Sequence, residues 1–307
     1  MLPSTISKTV AHQLDRLVLF TMNQRLPASF ERNYRQEPGL ESVLAHTTVN
    51  REKTVEYALS APGEHTVWLD TADGELQCRI RVQPAVRPQA PLLLYHHGFN
   101  EWPYDNSWRR IFRQPSPFPA HAVCIQAPYH YNWIDPLARG FASLQNIFQI
   151  FAGSLRIMEL VQSHFEAQGA AFTLLCGVSW GGITSLLYES LFQQTRAVIP
   201  MLSSPDLAQV LQDIAALFRR PIAVPVDTLR ASLDFTRYYR RVDADKVFPL
   251  MGEYDLFFRL EHHSAIFAER PLVTVPGGHI TGFWQVAPLR HHILHVLQQV
   301  ESSSRSI

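Results

Sequence analysis

One stretch constrains this chain more than any other: Leu174-Leu175-Cys176-Gly177-Val178-Ser179-Trp180-Gly181-Gly182. An apolar run of strand length enters Gly-x-Ser-x-Gly, and an apolar, helix-forming segment, Gly182–Phe192, follows. A chain that passes from strand to helix so quickly must turn sharply. The residues two positions either side of the serine must then lack bulk. Such a turn lifts the serine hydroxyl above the strand's end, beside the positive end of the next helix. A strand with no polar face belongs inside a parallel sheet, so the chain must supply more strands and the helices that connect them.

The flanking segments meet that demand. His65–Asp70 and Glu75–Val82, joined by Thr71-Ala72-Asp73-Gly74, predict an antiparallel hairpin. Leu92–Tyr95, His121–Gln126, Phe172–Cys176, Ala197–Leu202, Val247–Met251 and Leu272–Val275 predict further strands. Helices are predicted at about Ser107–Arg113, Phe141–Gln168, Gly182–Phe192, Leu256–Glu269 and Gln285–Val300. A hairpin followed by repeated strand–helix units implies an α/β chain: a mostly parallel, twisted sheet with helices on both faces. In such sheets ligands bind beyond the C-terminal ends of the strands. Ahead of the hairpin, Val10, Leu14, Leu17, Val18 and Met22 fall at helical spacing between Ser7 and about Gln24, and Pro27, Pro38 and Gly39 then break the pattern. Residues 1–60 read as a helical N-terminal extension and 61–307 as the main domain. The 44 residues 203–246 are helically patterned and interrupted by Pro221 and Pro225, too long for one crossover. They predict a helical lid over the sheet edge.

A serine hydroxyl is a weak nucleophile until a base takes its proton. Among 14 histidines, only His279 follows a strand, sits after a glycine pair (Gly277-Gly278) and precedes the last helix. The imidazole in turn needs a carboxylate to hold its tautomer and stabilise its charged form. The strand end Met251-Gly252-Glu253-Tyr254-Asp255 offers Asp255, with Glu253 as the alternative and Asp206 as a weaker third. A tetrahedral oxyanion needs two donors. Trp180, next to the serine, supplies one backbone N–H, and Phe99, in the loop His96-His97-Gly98-Phe99-Asn100-Glu101, supplies the other.

With Gly-Val-Ser-Trp-Gly-Gly, His-His-Gly-Phe, Gly-Glu-Tyr-Asp and Gly-Gly-His in that order, the chain from about Glu64 to Val300 resembles the α/β-hydrolase superfamily. The motifs match that superfamily and name no substrate. The resemblance implies the α/β-hydrolase fold, Ser179, Asp255 and His279 at the triad positions, and hydrolysis of a carboxylic ester or related acyl bond through an acyl-enzyme. A peptidase or thioesterase would use the same machinery. So would a haloperoxidase or a C–C bond hydrolase. A non-catalytic protein of this fold that binds a ligand or partner is the reading from another class.

The surroundings add expectations. Trp102, Tyr104 and Trp108, and then Tyr129, His130, Tyr131 and Trp133, lie on loops at the expected rim. Of these, Trp102, Tyr129 and Tyr131 are the candidates to touch a small acyl substrate. No cofactor is called for, and His96-His97 lacks a third ligand at metal-binding spacing. With 27 basic and 27 acidic side chains, the chain lacks the charge that draws proteins to nucleic acid. Cys78, Cys124 and Cys176 have no paired spacing, and no apolar run reaches the ~18 residues of a membrane span. A cytoplasmic location is therefore expected.

Overall fold

Among the described residues, nine strands form one sheet. The computed structural model describes residues 7–25, 39–112, 117–219, 222, 224–268 and 270–304. Pro27, Pro38, Arg113, Pro221 and Glu269, which mark breaks or helix ends in the sequence reading, lie outside the described residues, as does the side chain of Met22. In chain order the elements are α1 (Lys8–Arg25), α2 (Leu40–Ala45), β1 (Thr48–Val49), β2 (Gly63–Thr71), β3 (Gly74–Gln83), β4 (Leu92–His96), α3 (Asn106–Phe112) and β5 (His121–Ile125). Then come α4 (Leu144–Ala167), β6 (Thr173–Val178), α5 (Trp180–Phe192), β7 (Ala197–Met201), α6 (Leu207–Leu217), α7 (Val226–Leu233) and α8 (Thr236–Tyr239). The chain continues through β8 (Leu250–Gly252), α9 (Leu260–His263), β9 (Val273–Val275), α10 (His279–Phe283) and α11 (Val286–Ser304).

The hairpin β2–β3 pairs Thr71 with Gly74, as the Asp-Gly turn predicts. β1, β2, β3 and β5 pair antiparallel, and from β5 through β4, β6, β7, β8 to β9 every pairing is parallel. Strand alternation divides the core into two layers. Leu92 and Leu94 of β4 pack with Ile147, Phe151 and Leu155 of α4. Leu93 and Tyr95 pack with Phe112 of α3 and Ile293 and Val296 of α11. Both faces are thus covered, which is why the parallel strands read as unbroken apolar runs. The three cysteines are buried and unpaired, and burial alone pushes the Cys78 thiol far up.

Two predicted helices differ in detail. The helix expected from Leu256 begins only at Leu260. The amides of Phe257 and Phe258 are already taken by Asp255 Oδ1, at 2.7 and 2.9 Å. In α1, Val10 and Leu17 of the expected apolar stripe are largely exposed, and the buried line runs through Ala11, Asp15 and Leu19. The segment 203–246 carries α6, α7 and α8.

Candidate active site

Ser179 occupies the turn between β6 and α5 with φ 55° and ψ −119°. A non-glycine residue held at positive φ costs ~1–3 kcal/mol and persists only where its surroundings enforce it. Here a Cβ on Gly177 would fall 2.2 Å from the carbonyl of Gly181, and one on Gly181 would fall 2.1 Å from the His96 carbonyl oxygen. Both positions therefore exclude any side chain. The Ser179 amide donates to Met201 O at 2.9 Å, and the Ser203 hydroxyl donates to Ser179 O at 2.7 Å.

The structure brings His279 and Asp255 to this serine. His279 Nδ1 lies 2.8 Å from Asp255 Oδ2, and Nε2 lies 3.0 Å from Ser179 Oγ. The carboxylate only accepts, so Nδ1 carries the proton and Nε2 presents its lone pair to the serine hydroxyl. The Phe257 ring stacks on the imidazole at 4.3 Å. Burial pulls the His279 pKa down. The charge and hydrogen bond of Asp255, helped by the charge of Asp15, outweigh it and hold the imidazole above its ordinary value. Glu253 is exposed and accepts a 3.3 Å bond from the Thr274 hydroxyl instead. Asp206 caps α6 by accepting from the Gln209 amide at 2.8 Å.

The loop after β4 lies close against the serine: a Cβ on Gly98 would sit 3.7 Å from Ser179 Cβ. Three buried histidines hold it. His96 Nδ1 bonds to the His97 carbonyl (2.9 Å) and His97 Nδ1 to the Gly98 carbonyl (2.7 Å). His97 Nε2 accepts from the Ala127 amide (3.0 Å), and His130 Nε2 accepts from the Asn100 amide (3.3 Å). A ring that accepts an amide proton on one nitrogen and donates from the other is neutral. Burial agrees, lowering His96 to about 3 and His97 to about 4, and holding His130 well below its ordinary value. Among the described residues no cluster of His, Cys, Asp and Glu could hold a metal ion. Glu101, at the loop's end, accepts from the amides of Gly98 (3.2 Å) and Ser107 (2.5 Å), and burial pushes its pKa up to about 7.

Ser179 and His279 open into a cavity of about 290 Å³. Phe99, Trp180 and Trp102 line it, as do Leu207, Val210 and Leu211 of α6. Tyr129 and Tyr131 do not; their rings lie 5.4 and 5.9 Å from the Arg139 guanidinium, and the Tyr129 hydroxyl bonds to Gln149. Several contributors escaped the sequence reading, among them Glu101, Phe257, Val18 and Asp15. Glu101 and Phe257 stand beside recognised motifs and could have been suspected. Val18, which lines the cavity, and Asp15, buried against His279, come from α1, where nothing in the sequence points to the site.

No known family's sequence profile matches this chain, and no curated protein matches it. Solved structures do. A hyperthermophilic esterase from Pyrobaculum calidifontis aligns with TM-score 0.51 at 15% identity, over 99% of each chain. Est1E from Butyrivibrio proteoclasticus aligns with TM-score 0.50 at 13% identity, over 75% of this chain and 98% of its own. A chain from the work on the metagenome-derived lipolytic enzymes LipS and LipT aligns with TM-score 0.53 at 10% identity, over 72% of this chain and 97% of its own. The fold is therefore that of the α/β-hydrolases.

Proposed function

We propose that this protein is a serine hydrolase that cleaves a carboxylic ester or related acyl bond through an acyl-enzyme intermediate. The observation that carries the reading is the continuous relay Asp255–His279–Ser179, at 2.8 and 3.0 Å, opening into an apolar cavity. Ser179 Oγ attacks the acyl carbonyl as His279 Nε2 takes its proton. Asp255 holds the tautomer and stabilises the imidazolium. The tetrahedral oxyanion accepts from the backbone N–H groups of Phe99 and Trp180. His279 then returns the proton to the leaving alcohol, and water repeats the sequence on the acyl-enzyme.

The apolar lining suits a hydrocarbon acyl chain, with Trp102 at its rim. We assign residues 203–246 the role of a lid that shapes the acyl pocket through Leu207, Val210 and Leu211. Val18 of α1 closes another side of it. No described helix is long and apolar enough to cross a membrane.

The test is covalent labelling with a fluorophosphonate, together with a panel of acyl esters of graded length. Wild type labels and turns over. Ser179→Ala does neither while staying folded, leaving only the residual rate that binding and the oxyanion site support. Equal turnover by the pure mutant overturns the proposal.

A further inference from the structure

We infer that Asp15, carried on the N-terminal helix α1, is a positioning residue for the catalytic histidine: its carboxylate holds the backbone that presents His279 and places a fixed negative charge behind the imidazole. The inference rests on the hydrolase reading above, and extends the site to a helix that none of the recognised motifs includes.

The geometry is specific. Asp15 Oδ2 accepts from the amide of His279 at 2.8 Å and from the amide of Leu256 at 3.1 Å. Oδ1 accepts from the amide of Ile280 at 3.0 Å. One side chain thus ties together the loop that follows the triad carboxylate and the first turn of the segment that starts at the triad base. Asp15 is fully buried. It receives three N–H bonds and offers none, the pattern of an ionised carboxylate. The neighbouring backbone is cut to fit it. A Cβ on Gly278 would lie 2.7 Å from Asp15 Oδ2, so the glycine before His279 leaves the space the carboxylate fills.

A buried charge is expensive unless its bonds and neighbours compensate it. Across the interface Asp255 opposes that charge and His279 favours it. On the same helix His12 lies one turn back, itself influenced by Lys8, Arg16 and Glu261. Burial, then the Asp255 charge, raise the Asp15 pKa, while His279 and the backbone amides lower it. The reciprocal effect falls on the base: the Asp15 charge raises the His279 pKa alongside Asp255. A helix that served only as packing would need an apolar residue at this position. An aspartate held by the amides of His279 and its neighbours suits electrostatic and geometric control of the imidazole.

The test compares wild type with Asp15→Ala and Asp15→Asn in the full chain. Asp15→Ala removes the tether and the charge. It is expected to lower kcat on the order of 10–100-fold with KM little changed, since reacting groups misplaced by about 1 Å lose rate on that scale. Asp15→Asn keeps an acceptor oxygen and removes the charge. It is expected to recover part of kcat while moving the acid limb of kcat/KM to lower pH, because the imidazole is then easier to deprotonate. The titration of the His279 ring, followed by NMR in wild type and Asp15→Asn, reports the same displacement without requiring turnover. A displaced titration in a protein that neither hydrolyses acyl compounds nor takes up a fluorophosphonate would uphold the coupling of Asp15 to the His279 ring and sink the hydrolase reading. An unmoved titration in Asp15→Asn, or an Asp15→Ala enzyme within twofold of wild-type kcat, overturns the inference. Should Asp15→Ala fail to fold, the titration in Asp15→Asn decides alone.

Discussion

Asp255 divides its two oxygens between two tasks: Oδ2 meets His279, and Oδ1 fixes the amides of Phe257 and Phe258. A carboxylate so fully engaged does more than neutralise charge; it dictates where the next residues run. Replacing it with asparagine puts an amide donor against an imidazole N–H and inverts the tautomer. Asp255→Asn is expected to cost about 10⁴ in turnover. Glu253→Gln, at an exposed site bonded to Thr274, should leave the rate within a few-fold of wild type. Steady-state kinetics on one ester checks both, and the reverse ranking would move the acid to Glu253. The serine and the histidine were legible because steric need marks them: only glycines fit beside the elbow, and a glycine pair announces the histidine loop. Asp15 was not, since a lone aspartate in an amphipathic helix looks solvated until the fold turns that face inward.

At the scale of elements, α6 presents Leu207, Val210, Leu211 and Ile214 to the cavity. Val210 is buried. Enlarging it with Val210→Phe should shift preference toward shorter acyl chains. A single methylene in an apolar pocket is worth ~1–3 kcal/mol, so the ratio of kcat/KM for long and short esters should fall by about tenfold or more. Labelling of Ser179 by a small phosphonate should be unaffected. If the ratio is unchanged, α6 braces the sheet and the pocket is set by the Phe99–Trp102 loop. The sequence predicted β4, β5, β6 and β7 to within two residues at each end because burial on both faces leaves no polar position to confuse the pattern; it started β8 three residues early and missed the two-residue β1. It failed where a side chain competes for backbone hydrogen bonds, as Asp255 does at Phe257 and Phe258. It failed also at Tyr129 and Tyr131, where aromatic content alone does not say whether a ring meets substrate or stacks against Arg139.

For the molecule as a whole, His96, His97 and His130 tie the loop that faces Ser179 to the core, each neutral and each with its pKa depressed mainly by burial. In the unfolded chain these rings titrate near pH 6.5. Unfolding therefore takes up protons below that pH. Their contribution to stability is fully present above about pH 6.5 and is lost as pH falls through the folded-state values of about 4 for His97 and about 3 for His96. Urea midpoints measured from pH 7 to pH 4 should fall steadily. His130→Gln, which keeps a polar side chain without the titration, should flatten that slope while lowering the midpoint at pH 7; an unaltered slope would remove His130 from the account. The tether from Asp15 to His279 and Ile280 has a different consequence, one of timing. It joins residues 264 and 265 positions apart in sequence. On a ribosome the helix bearing Asp15 emerges long before the backbone it must hold, and Ser179 and Asp255 are also made before the base. A growing chain can build most of the sheet and still carry an inert serine. On the proposed hydrolase reading, reactivity toward acyl compounds switches on only when synthesis passes the final strand–loop unit and α1 finds its partner. Nascent chains of this protein should therefore ignore a phosphonate probe until residues 279–280 have left the exit tunnel.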